Sequence, residues 1–147
     1  MNKMGIFIAI LALMFFLAHH NLYQKLYPNG VETKFIEVEE NCSRILAEFA
    51  VPESIPSGTA KFFKKPENPS GLISQVYTTA LTWEQIRRHY LDIRQNDGWR
   101  LTLDSTNSNY ISLVKGSPHD RYAVDIQLKG NQCRITVGWI GLSETGK

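Results

Sequence analysis

Residues 72–103, LISQVYTTALTWEQIRRHYLDIRQNDGWRLTL, change their hydrophobic period twice. Leu72 to Leu81 is rich in β-branched and aromatic residues and reads as a strand. Thr82 follows, with Gln85 three residues on. That is the spacing at which a threonine hydroxyl and a glutamine side chain each satisfy the other's backbone N–H at a helix start. From Trp83 to Asn96 the period is helical: Trp83, Ile86, Tyr90 and Ile93 share a face that Leu91 widens, and Glu84, Arg88, Asp92, Gln95 and Asn96 lie opposite. Gly98 is the left-handed residue that ends such a helix. Trp99, Leu101 and Leu103 then alternate with Arg100 and Thr102, so the period returns to two. The stretch predicts strand, capped helix, strand.

On the C-terminal side, YISLVK, YAVDIQL and CRITVGWI each read as a strand, separated by the turn-rich DSTNSN, GSPHDR and KGNQ. Tyr122, Val124, Ile126 and Leu128 point one way, as do Cys133, Ile135, Val137 and Trp139. Consecutive strands with one apolar face each predict an antiparallel meander, covered on one side and open on the other. On the N-terminal side, TKFIEVEENCSRILAEFA (33–50) gathers Phe35, Val38, Cys42, Ile45, Leu46 and Phe49 within an arc of about 100°. This predicts an amphipathic helix, with a strand over Ile45–Phe49 as the alternative. VPESIPSGTAKFFKKPENPSG (51–71) holds four of the six prolines and predicts a surface connection with a short edge strand at Ala60–Phe63. The expected fold is α+β. An antiparallel sheet of four to five strands is covered on one face by one or two helices and preceded by an N-terminal hydrophobic helix.

Residues 1–27 differ from the rest. Ile6 to Ala18 is an uncharged apolar run of thirteen residues, short for a membrane span and typical of a signal-peptide core. Cutting after Ala18 would place Phe16 at the −3 position, where a small residue is preferred. A tilted helix from Met4 to Tyr27 would just reach across a bilayer. Residues 1–27 are therefore expected to be a signal-anchor or a signal peptide, and 28–147 a single α+β extracytoplasmic domain. The protein is placed at the cytoplasmic membrane with that domain outside, or secreted after cleavage. In that compartment Cys42 and Cys133 could form a disulfide, two buried thiols being the alternative.

The chain carries 16 basic and 14 acidic residues. That balance argues against a dedicated nucleic-acid binder, whose phosphate contacts need a basic excess. No histidine or cysteine spacing fits a metal site, and no glycine-rich phosphate loop is present. Ser117, His119 and Asp120 are neighbours in one turn, whereas a working triad converges from separate elements. No catalytic residue, metal or cofactor is assigned. The candidate binding residues are arginines: Arg87 and Arg94, seven apart on the apolar side of their helix, and Arg100 and Arg134 on the polar faces of strands. Thr102, Asp125, Gln127 and Thr136 would share the open sheet face.

The order strand, capped helix with a central tyrosine, Gly-Trp, meander resembles a loose group of small bacterial exported or membrane-anchored α+β proteins of unknown function. The resemblance spans about residues 72–140, through Tyr77, Thr82, Tyr90, Gly98 and Trp99. This chain lacks the lipid-attachment cysteine of many such proteins. The resemblance implies fold and location and no active site. The expected function is a non-catalytic binding or assembly module of the envelope, held to the membrane by residues 1–27 and binding a protein partner. A small structural subunit of a membrane complex is the alternative, and a hydrolase-type enzyme the third reading.

Overall fold

The computed structural model describes residues 3–65 and 69–141, without the side chains of residues 3–7, 9, 19, 23, 26, 94 and 95. The chain forms two compact units, residues 1–34 and 35–147. In the first, helix α1 runs Lys3–Leu26. The turn after it is closed by the Gly30 amide donating to the Tyr27 carbonyl at 2.9 Å, with Gly30 at φ +85°. Ile8, Ile10, Leu11 and the consecutive Leu13, Met14, Phe15, Phe16 and Leu17 are all exposed.

No helix among the described residues is long and apolar enough to cross a membrane. The expectation of a span from Met4 to Tyr27 is not supported. The uncharged run of thirteen residues rises only about 20 Å at 1.5 Å per residue, against a hydrocarbon core of about 30 Å.

Helix α2, Val31–Glu48, begins in the first unit and continues into the second, which contains a six-stranded antiparallel sheet. The strands are β1 Ser54–Lys65, β2 Ser70–Thr79, β3 Arg100–Ser105, β4 Tyr110–Ser117, β5 Asp120–Lys129 and β6 Gln132–Ile140, in the order β1-β2-β6-β5-β4-β3. Helix α3, Trp83–Asp97, joins β2 to β3. Its start has the expected reciprocal cap, with the Thr82 side chain accepting from the Gln85 amide and the Thr82 amide donating to Gln85 Oε1 at 2.8 Å. Its end is Gly98 at φ +71°.

The sheet has one strand more than the sequence suggests. The proline-rich 51–71 stretch contains β1, twelve residues long rather than a short piece at Ala60–Phe63. A proline is tolerated there because β1 is an edge, and a ring nitrogen without a hydrogen costs nothing on the unpaired side. The pairing breaks register between Ser57 and Lys61, the irregularity that hides the strand's alternation.

Both helices lie on one face of the sheet. Phe35, Val38, Cys42, Ile45 and Leu46 from α2, Phe49 just after it, and Trp83, Ile86 and Tyr90 from α3 are buried together with Ile73, Ile111, Leu113, Val124, Ile126, Ile135, Val137 and Trp139. Phe35 meets Trp139 edge-on at 5.9 Å, and Phe49 is stacked on Tyr90 at 5.6 Å and edge-on to Trp99 at 5.0 Å. The Tyr90 hydroxyl donates to the Phe49 carbonyl at 2.7 Å, satisfying a backbone acceptor just past the end of α2.

Cys42 and Cys133 are both free and fully buried, so the expected disulfide is absent. Cys133 is next to Tyr77 and close enough to Tyr90 to influence its ionisation, while Cys42 sits on α2 among Val38, Ile45 and Leu46. Burial pushes each thiol up to about 12.

Candidate functional site

The strand registers fix which side chains share the uncovered face. One row across the sheet reads Phe63, Leu72, Gly138, Ala123, Val114, Arg100. The next reads Lys61, Ser74, Thr136, Asp125, Ser112, Leu103, and the one beyond it Ser57, Val76, Arg134, Gln127, Tyr110, Ser105. Lys65, Arg121 and Lys129 occupy outward positions in flanking rows. In these strands the outward positions therefore carry six cations, Lys61, Lys65, Arg100, Arg121, Lys129 and Arg134, and one carboxylate, Asp125. Asp125 is itself engaged: its Oδ1 accepts from the Tyr110 hydroxyl at 2.7 Å. That phenol is pushed up to about 12, by burial first and by the carboxylate second, so it stays a donor.

The face combines this charge with exposed apolar groups. Ile55 and Phe63 on β1, Leu72 on β2 and Leu103 on β3 are all exposed. Between Leu72 and Val114 the row passes through Gly138 and Ala123, where the sheet surface carries little side chain. Ser74 and Thr136 are hydroxyl partners at 3.0 Å in the middle of the face. A dimple of about 90 Å³ opens at the β5–β6 end, lined by Val76, Gln127, Lys129, Gln132 and Arg134.

Of the candidate arginines with described side chains, the structure does not bring Arg87, Arg100 and Arg134 together. Arg100 and Arg134 are both on the open face, but they stand three strand spacings apart across the sheet, about 14 Å at 4.8 Å each, and two rows apart along it. Arg87 lies on the other side of the sheet. Its Nε is 3.1 Å from both Asp104 oxygens and its Nη2 2.5 Å from Oδ2, a bidentate pair. The hydrogen bonds to Asp104 hold the Arg87 guanidinium above its ordinary range, and those to Arg87 hold the Asp104 carboxyl below its own. Arg87 is thus committed within the chain, to Asp104 of β3. Arg94 lies in α3, and its side chain is outside the described residues.

Asp104 reaches Arg87 because of a bulge. Leu101 opposes Leu113, but Leu103 opposes Ser112, so Thr102 is an extra residue in β3. The alternation expected over Trp99, Leu101 and Leu103 breaks there. Leu103 turns outward and is 52% exposed, and Asp104 takes the helix-side position.

A second concavity, of about 210 Å³, sits at the rim of the covered face. Asn41, Arg44, Ile45 and Glu48 line it from one side of α2, Lys115, Gly116, Asp120 and Tyr122 from the β4–β5 hairpin, and Trp99 from the end of α3. Sequence reading missed it because its parts come from three distant segments. His119 is exposed in the two-residue turn of the hairpin, and Asp120 accepts from the Trp139 indole at 2.6 Å. The Ser117, His119, Asp120 series is thus a hairpin tip, not a convergent set. Among the described residues no group of three or more His, Cys, Asp or Glu side chains could hold a metal ion. Comparison of the chain with protein-family models, with curated proteins and with solved structures finds no match.

Proposed function

We propose that the protein is a non-catalytic binding module whose working surface is the open face of the sheet, and that its partner is a protein with an acidic surface. The observation that carries this reading is the charge segregation: six outward cations against one occupied carboxylate in the strands, with Glu32, Glu37, Glu39, Glu40 and Glu48 gathered on α2. Complementary potentials of this kind steer encounter and reject like-charged surfaces. The exposed Phe63 and Leu72 beside the cations give a partner apolar area to cover.

Residues 1–27 hold the module at the cytoplasmic membrane in this reading. Support comes from the exposed series Leu13 to Leu17, five consecutive apolar residues around a helix, for which an apolar surrounding is the favourable solvent. The domain is placed on the outer side by the signal-like layout of residues 1–18.

The test is site-specific photo-crosslinking of the full chain in its own cells. A photo-reactive residue at Leu72 is compared with one at Arg88, on the helix side. A discrete protein adduct from position 72, missing from position 88, is the expected result. Equal adducts from both positions, or none from 72, refute the assignment of the surface.

A further inference from the structure

We infer that the concavity between α2 and the β4–β5 hairpin is a binding site for a small monocarboxylate. Its volume of about 210 Å³ is below the roughly 300–1,000 Å³ of pockets that take drug-sized ligands, so the occupant is small. The four charged groups on its wall are unequally committed. Arg44 donates to Glu48 at 2.8 Å and to Asn41 Oδ1 at 3.2 Å. Asp120 holds the Trp139 indole N–H. Lys115 makes no ion pair among the described residues, although two carboxylates line the same pocket. Its ammonium stands 5.8 Å from the centre of the Trp99 ring, and the residue itself is exposed.

The one charged group on this wall without an oppositely charged or hydrogen-bonded side-chain partner among the described residues is thus a cation, which selects an anion. Glu48 and Asp120 balance Arg44 and Lys115, so a multiply charged anion such as phosphate would meet more repulsion than a single carboxylate does. Ile45 and Trp99 offer the apolar surface for the rest of the molecule.

The backbone frame of the pocket is held by two features. Asn41 donates to the Tyr122 hydroxyl at 3.2 Å, joining α2 to β5. Gly116 is at φ +113°, and a Cβ there would lie 2.4 Å from the Asp120 carbonyl oxygen, so the hairpin needs glycine to close this tightly. Preorganisation of this kind reduces the ordering cost of binding. The inference stands on different residues from the open-face reading and does not depend on it.

The test is titration of the full-length chain, in detergent micelles, with benzoate as the probe, followed by amide chemical shifts. Benzyl alcohol, benzylammonium and inorganic phosphate are titrated in parallel. Saturable shifts confined to α2 and the β4–β5 hairpin are expected for benzoate alone. Lys115→Met should weaken benzoate about three- to fivefold, the loss of one solvent-exposed charge contact, and Lys115→Arg should retain it within about twofold. Absence of saturation, an unchanged Lys115→Met variant, equal response to benzyl alcohol or benzylammonium, or preference for phosphate would each overturn the assignment.

Discussion

Arg87 on α3 and Asp104 on β3 form a bidentate ion pair, and it exists because one extra residue in β3 moves Asp104 to the helix side of the sheet. Both side chains keep about a quarter of their surface, 28% and 23%, so the pair is worth no more than about 1 kcal/mol. A double-mutant cycle with Arg87→Met and Asp104→Asn should return a coupling of that size. The carboxyl pKa is depressed in the folded state. The contribution is therefore present above the ordinary carboxylate range and is lost as pH falls through the lower, folded value. Urea unfolding at pH 7 and near pH 3 checks both the size and the sign.

The Tyr90 hydroxyl carries more weight, because both partners are dry. Tyr90→Phe keeps the stack on Phe49 but strands the Phe49 carbonyl in the core, at a cost of about 1–3 kcal/mol. Equilibrium unfolding measures it. A change below about 0.5 kcal/mol would mean that another donor reaches the carbonyl.

Much of this core was legible in the sequence. Thr82, Gln85 and Gly98 mark the ends of α3 through short-range chemistry, and the alternation over 122–128 and 133–139 gives the inward residues of β5 and β6. The same alternation placed Arg100 and Arg134 outward. What was hidden depends on breaks in period or on distance. Strand β1 is masked by Pro56 and a register shift, and the bulge at Thr102 reverses the facing of Leu103 and Asp104. The pocket joins Arg44, Trp99 and Lys115, which no local pattern connects. The disulfide inference failed because a count of two cysteines carries no geometry.

The two thiols should be silent in the native protein. Burial pushes both up to about 12, leaving little thiolate for reaction near neutral pH. A disulfide-exchange reagent should find both cysteines in denaturant and neither without it, and reductant should leave the intact mass unchanged. Because the folded values are raised, their contribution is complete below the ordinary thiol range and is lost as pH rises towards about 12.

Two glycines should respond differently to alanine. At Gly116 the new Cβ meets the backbone oxygen of Asp120 at 2.4 Å in a left-handed conformation, so Gly116→Ala should cost about 1–3 kcal/mol. At Gly71 it meets the far end of the Phe62 ring, a half-buried side chain on the edge strand that can turn aside. Gly71→Ala should stay within about 1 kcal/mol. Thermal unfolding of the two variants side by side settles the order.

The central claim is that the cationic open face holds an acidic protein. The most direct measurement is the yield of the adduct from the photo-reactive residue at position 72, followed as salt is raised, in the wild-type background and in Arg100→Glu, Arg134→Glu. The account predicts a yield that falls steeply with salt and is nearly abolished by the double reversal, with Arg88→Glu neutral. An adduct indifferent to salt and to both reversals would contradict it.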